Sequence, residues 1–435
     1  MSFISYLTNN IFKQPPILLG VIAMVGLLIQ GKSISDVIKG TFKTIIGVIA
    51  LFKGVGIIAA SLSPLASAFS TLYSVPEANQ FDPAAWVNFI GDYGSQIGIV
   101  IILAFIINLI VARFTPIKNI FLTGHIFFWM SYIFIAGGVE GGLTGTTLIV
   151  FATVLLSIYI IVVPALMRPL VKKVTGSDQF TIGHTTSIFC FIGAGVGKLV
   201  GNKDKTTEDI EVPAYLDFIK DTTISTSLIL FITYIIVGLI IGAEARLDVF
   251  GGALGSIATI GGMQYDLFSF SLMAGLTFGA GLTILLTGVR LMLAEIIPAF
   301  KGISDKLIPN AIPALDVPMV FPYAPNALII GFLVSMVTSI LTIVVMASTG
   351  TMTYAVIPLT VACFFDVAPA AIFANAYGGR RGAIIASAVS GIVMVLLVNA
   401  AMPALFNTVA GFNQAFGGND FSIWGIIGSF FAKLF

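Results

Sequence analysis

Ile99-Val100-Ile101-Ile102-Leu103-Ala104-Phe105-Ile106-Ile107-Asn108-Leu109-Ile110-Val111 holds one amide and otherwise only apolar side chains. A strand of a membrane barrel alternates apolar and polar residues and ends after roughly ten, so this unbroken run reads as a membrane-crossing helix. The stretch 228–241 has the same character. Outward from these, about eleven apolar runs of near-bilayer length recur, near 17–30, 44–62, 94–112, 119–139, 146–166, 224–243, 270–297, 325–347, 353–377, 382–402 and 421–435. Composition agrees: 57% of residues are hydrophobic, 9% are charged and the mean hydropathy is +1.05, far outside the range of soluble domains. The expected fold is an all-α polytopic membrane protein surrounded by lipid.

A formal charge of +1 says nothing about nucleic acid, but the scattered basic residues form no patch of the kind phosphate binding needs, so no nucleic-acid partner is expected. Those residues mark topology instead, since short cytoplasmic loops are rich in Lys and Arg. Lys32, Lys39 and Lys43 follow the first run, 63–86 carries no Lys or Arg, and Arg113 and Lys118 follow the third run. The alternation places the N-terminus and the Glu140 turn outside. Arg168, Lys172, Lys173, Lys198, Lys203, Lys205 and the C-terminus fall in the cytoplasm. The first residues lack the pattern of a removable signal peptide. Cys190 and Cys363 sit far apart in apolar runs and read as small buried hydrophobes. No Gly-x-Ser-x-Gly elbow, P-loop or His-Glu-x-x-His is present, so neither catalysis by this chain alone nor a cofactor is expected.

At one constant offset, Gly47-Val48-Ile49-Ala50-Leu51-Phe52-Lys53-Gly54-Val55 lies over Gly281-Leu282-Thr283-Ile284-Leu285-Leu286-Thr287-Gly288-Val289. The match continues through Ala60 over Ala294, Pro64 over Pro298 and Ser70 over Ser304. By the charge rule the first copy heads outward and the second inward, which makes an inverted repeat. Carriers use that architecture to hold a substrate between two halves near the midplane. One unit over 1–435 is expected, with halves near 17–201 and 224–402, a linker helix near 210–222 and a C-terminal helix near 421–435. The linker stretch 212–220 reads as an interfacial amphipathic helix. The apolar stretch 180–201 has basic flanks on one side and Gly183, Gly193, Gly195 and Gly197 within it, which fits a re-entrant hairpin.

Both histidines of the chain follow a glycine in apolar surroundings, in Leu122-Thr123-Gly124-His125-Ile126 and Thr181-Ile182-Gly183-His184-Thr185. A titratable ring at membrane depth is costly, so it usually lines a pathway or a site. A neutral imidazole donates and accepts, which suits a polyhydroxylated or weakly acidic ligand; a bond to a helix carbonyl is the structural alternative. Asp82 and Asp316 pair under the repeat offset and offer carboxylates to adjacent hydroxyls, or else cap loop turns in water. Trp129 offers a face to a sugar ring or serves as packing, and Thr185 and Thr186 add hydroxyls. Asp366 reads as a proton site or a capped carboxylate, and Arg290 and Glu295 as structural ion pairs or helix-end anchors. No Cys/Asp/Glu cluster surrounds either histidine in sequence, so no metal is expected.

The two Gly-His motifs, together with Gly288-Val289-Arg290, Ala294-Glu295, Ala299-Phe300, Gly302-Ile303-Ser304, Leu307-Ile308-Pro309 and Ala324-Pro325-Asn326-Ala327, resemble the L-ascorbate family of bacterial phosphotransferase-system IIC subunits. The likeness extends from Lys39-Gly40-Thr41 to Asn375-Ala376-Tyr377-Gly378-Gly379. It implies a homodimeric inner-membrane permease in which a substrate-carrying core moves, elevator-like, against a dimer-forming domain without a coupling ion. A separate IIB protein would then phosphorylate the substrate from its phosphocysteine, with IIB and IIA both acting in trans. Position by position, His125, His184 and Asp316 match the family's ligand-contacting residues. The chain departs from the ascorbate transporters where it has Trp129 and Thr185 in place of glutamines, and Asp82-Pro83 in place of hydroxyl-bearing residues. Ascorbate is the family's substrate, and a neutral sugar or sugar alcohol fits these residues as well. A proton-coupled carrier of a small polar solute, using Asp366 or a histidine, is the runner-up, and a membrane scaffold is the third reading.

Overall fold

The computed structural model describes residues 15–79, 85–210, 218, 221–241 and 267–435. Asp82 and most of the expected interfacial helix at 212–220 lie outside them. The chain is mostly helical: α1 (Pro15–Ile29), α2 (Ile34–Leu72), α3 (Ala85–Phe114), α4 (Gly124–Glu140), α5 (Gly145–Thr175), α6 (Ser187–Val200), α7 (Thr222–Ile240), α8 (Leu267–Leu307), α9 (Pro325–Ser348), α10 (Pro369–Ala401), α11 (Ala410–Phe416) and α12 (Asp420–Ala432).

The quoted stretch lies in α3 and divides by helical period. Ile99, Ile102, Leu103, Ile106 and Ile110 form an exposed stripe, whereas Val100, Ile101, Ala104 and Phe105 are buried. An apolar stripe at that spacing on the outside of a helix faces lipid. Local signals set the helix ends. Ser33 caps α2 by accepting from the Asp36 amide at 3.2 Å, and α5 stops at Gly176, whose φ of +72° favours glycine.

Among the described residues seven segments are long and apolar enough to cross a bilayer: Ile34–Leu72, Asn88–Phe114, Gly145–Thr175, Thr223–Ile240, Leu267–Gly288, Pro325–Ser348 and Thr360–Ala401. About eleven apolar runs were expected. The runs at 353–377 and 382–402 share one segment, broken at Gly378-Gly379, where Gly379 takes φ +58°. The freed backbone groups are met from outside the helix, by Asn202 N to Gly378 O at 2.9 Å and Arg380 N to Lys205 O at 2.8 Å. The runs at 17–30, 119–139 and 421–435 form helices of 15, 17 and 13 residues.

The mostly helical chain is consistent with the all-α expectation and adds one small element to it. Three short strands, β1 (Asn119–Phe121), β2 (Thr181–Ile182) and β3 (Ile312–Leu315), form a parallel sheet in the order β1-β3-β2. They run for 3, 2 and 4 residues, too short for an alternating pattern to show. Ile120 pairs with Pro313 and Ile182 with Leu315. The one amide of the quoted stretch serves this sheet: Asn108 is fully buried, donates to Asn119 O at 2.9 Å and accepts from Phe121 N at 3.0 Å. On the other side Thr181 Oγ1 donates to Pro164 O at 2.7 Å. Backbone polar groups inside the apolar interior are thereby satisfied.

The helices group into two bodies. One consists of α2 laid along α8, with α1 and α7 against them; the other holds the sheet, α3 to α6 and α9 to α12. The first body closes through glycines of the repeated segments. A Cβ on Gly54 would stand 2.7 Å from Gly281 O, and one on Gly288 would stand 2.5 Å from Gly47 O. Such backbone approach requires residues without side chains.

Candidate functional site

The sheet decides where the candidate residues meet. Three parallel strands end on one side, and each leads directly into a candidate: β1 into Gly124-His125, β2 into Gly183-His184 and β3 into Asp316. Leu122 N to Ala314 O at 3.0 Å and Gly183 N to Leu315 O at 2.9 Å carry the ladder to the strand ends. Residues remote in sequence are thus fixed by backbone pairing rather than by flexible side chains.

Asp316 lies between the two rings. Its Oδ2 is 3.8 Å from His125 Nε2 and its Oδ1 is 3.6 Å from His184 Nε2, with the ring centroids 6.1 Å apart. Asp316 also caps the turn that follows, accepting from Val317 N at 2.8 Å. On the far side of His184, Asp366 Oδ1 is 3.6 Å from Nδ1. Asp366 sits in a single π-turn, Cys363–Val367, an irregularity common at functional sites. Its carboxylate accepts from the Thr185 hydroxyl and its carbonyl accepts from Thr186 Oγ1 at 2.5 Å.

The Thr186 backbone N–H donates to His184 Nδ1 at 3.2 Å. A neutral ring with that nitrogen accepting carries its proton on Nε2, facing Asp316. No cluster of carboxylates surrounds the histidines along the chain, and the fold supplies one carboxylate: one atom from each of His125, His184 and Asp316 comes within 4.8 Å of the others. The protonated Nε2 of His184 suits this set to ligand hydroxyls rather than to a metal, which needs that lone pair.

These groups open on a cavity of about 570 Å³. His125, Trp129, His184, Thr185, Asp316 and Asp366 line it from the sheet-bearing body; Val55, Leu285, Leu286 and Arg290 line it from the α2–α8 body. Trp129 stacks on Phe412 at 4.8 Å and meets Phe52, Phe128 and Tyr132 edge-on, so one indole face is already covered. Arg290 and Glu295 do not pair with each other among the described residues: Glu295 is bound by Lys43 at 3.1 Å, and Arg290 lines the cavity.

Sequence reasoning missed Asp420. It is buried at the start of α12, accepts from Ser187 Oγ at 2.5 Å, Tyr159 Oη at 3.0 Å and Ile188 N at 3.2 Å, and its own N–H donates to Thr185 O at 3.2 Å. Three donors and a helix N-terminus hold it, so it fastens the C-terminal helix to the turn after His184. An Asn-Asp pair opening an apolar tail was the available signal.

Two comparisons bear on this arrangement. The family model described as "PTS system sugar-specific permease component" (EIIC-GAT) matches residues 10–420. The "Ascorbate-specific PTS system EIIC component" of Mycoplasma pneumoniae is 26% identical to the chain over 448 aligned positions, covering 92% of this chain. The chain spans 66% of that relative's length.

Proposed function

The chain belongs to the family of sugar-specific permease components of the phosphotransferase system, and from that premise we propose that it carries L-ascorbate or a related sugar or polyol across the bacterial membrane for phosphorylation by a separate IIB protein. Permease components of this family are multi-pass membrane transport subunits, and other subunits carry out the phosphoryl transfer. The observation that carries the proposal is the meeting of His125, His184 and Asp316 at the ends of three parallel strands, on a cavity that both bodies line. An Nε2–H donor, a second imidazole and a carboxylate within reach of one another match the alternating donors and acceptors of adjacent hydroxyls. Thr185 and Trp129 tune the choice of substrate, and Asp82, outside the described residues, is a further candidate by its pairing with Asp316 under the repeat offset.

The sheet-bearing body is the part that moves with the substrate, in an elevator-like exchange of access, and the α2–α8 body is the frame that forms a homodimer. The division of polar groups supports this, since among the described residues one body supplies every hydrogen-bonding side chain proposed for the site except Arg290. The reciprocal contacts of Gly54 with Gly281 and Gly47 with Gly288 support an inverted repeat, because they are what a two-fold relation between the copies produces. The N-terminus lies outside and the C-terminus in the cytoplasm, where IIB and IIA act in trans. The competing reading, a proton-coupled carrier, draws on Asp366 beside His184 Nδ1.

Uptake into vesicles separates them. With phospho-IIB present, the phosphorylated sugar is expected inside and an uncoupler is without effect. Uptake that persists without IIB and collapses with an uncoupler would select the proton-coupled reading.

A further inference from the structure

Among the described residues Arg290 is the one charged side chain that the α2–α8 body places on the cavity, and it forms no ion pair there. Its neighbour on α8, Glu295, is engaged by Lys43 at 3.1 Å. The same cavity is lined by two carboxylates, Asp316 and Asp366, from the other body. Arg290 is exposed on its wall of the cavity, and two carboxylates on the other wall repel any anionic ligand.

We propose that Arg290 is a specificity-determining residue that binds the charged edge of an anionic sugar acid, from the opposite body to the one that holds the hydroxyls. The inference rests on the transport reading above and names the charge class that the same site selects. A planar guanidinium presents paired N–H donors to a delocalised oxyanion, as a carboxylate or a deprotonated enediol provides. The cation offsets the repulsion of Asp316 and Asp366, so a monoanion enters where carboxylates alone would reject it. Because the ligand's hydroxyls and its charge are held by different bodies, a bound anion bridges them. A neutral polyol lacks that second anchor.

Calorimetry on the purified full-length protein at neutral pH tests this with two probes of similar ring shape, anionic L-ascorbate and neutral L-gulono-1,4-lactone. Arg290→Gln is expected to weaken ascorbate about 10- to 100-fold, the range for a bond to a charged group, while the lactone shifts less than about threefold. Arg290→Lys is expected to recover part of the loss, because it restores the charge without the planar fork. Unchanged ascorbate affinity in Arg290→Gln overturns the assignment. So does an equal loss for both probes, which would mark a structural role. Wild-type protein that prefers the lactone also overturns it and leaves the transport reading standing. Wild-type protein that binds neither probe overturns both.

Discussion

His184 and His125 each follow a short parallel strand into a helix start on either side of β3, yet their rings are held differently. The Nδ1 of His184 accepts from Thr186 N at 3.2 Å, with Asp366 behind it. The Nδ1 of His125 is buried with no hydrogen-bond partner among the described residues. The cause is local. After Gly183-His184 the chain turns through Thr185-Thr186 before α6 begins at Ser187, and that turn aims a backbone N–H back at the ring. α4 begins at Gly124, so His125 is already helical and no such turn is available. One corner is therefore organised before a ligand arrives. The other retains a buried polar atom whose desolvation is uncompensated.

This contrast orders the expected effects. Asp316 faces both rings, so Asp316→Asn should weaken ligand binding most, by about 100-fold or more, because it removes the charged acceptor common to both corners. Isothermal titration of folded, detergent-purified protein measures it, and wild-type affinity would remove Asp316 from the site. His184→Gln should cost about 10- to 100-fold, since a donor locked in place is lost together with its anchoring bonds. His125→Gln should cost less, about 3- to 10-fold, because a ring unsatisfied on one nitrogen gives up less when replaced. If the His125 variant proves the worse of the two, the comparison is reversed, and its free nitrogen is the principal ligand contact. Trp129→Phe should have a smaller effect, about 2- to 5-fold, because Phe412 already covers one face of the indole. A loss near 100-fold in the same titration would establish sugar stacking on the open face.

Much of this was legible in the sequence because it is written in apolar periods and repeated motifs. The unbroken apolar run at 99–111 and the glycines of the repeat are visible without coordinates, as is the oddity of two Gly-His pairs in apolar surroundings. The strands were not, since two to four residues give no period, and with them went the reason that Asp316 reaches the histidines. In the sequence Asp366 reads as a proton site or a capped carboxylate, but its approach to His184 depends on a π-turn that no spacing rule anticipates. In the sequence Arg290 and Glu295 both read as structural ion pairs or helix-end anchors, and Glu295 does form such a pair. Lys43, brought in by the packing of α2 on α8, takes that carboxylate and leaves Arg290 to the cavity. Asp420 escaped notice because its partners Tyr159 and Ser187 are joined to it only by tertiary structure.

The same contrast extends to how each strand is approached from the membrane surface, where the smallest effect is expected. Before β2, the loop after α5 is fastened by Asp178, which accepts from Arg168 Nε at 2.7 Å and Lys172 Nζ at 3.4 Å. Before β1, Lys118 Nζ donates, among the described residues, to a backbone carbonyl, Ala112 O, at 2.9 Å. The Arg168 bond is the main cause that holds the Asp178 carboxyl below its ordinary value of 3.8. A depressed folded value means the clamp contributes fully above that ordinary value and is lost as the pH falls through the lower, folded one. Both groups are exposed, so the contribution is small and screened by salt. Asp178→Asn at neutral pH reproduces the acid state without titrating anything else. Hydrogen exchange should quicken modestly in the peptide spanning 176–183 and stay unchanged in the one spanning 116–124. Equal quickening in both peptides would mean that the two corners share one support, and the asymmetry between them would then begin at the rings themselves.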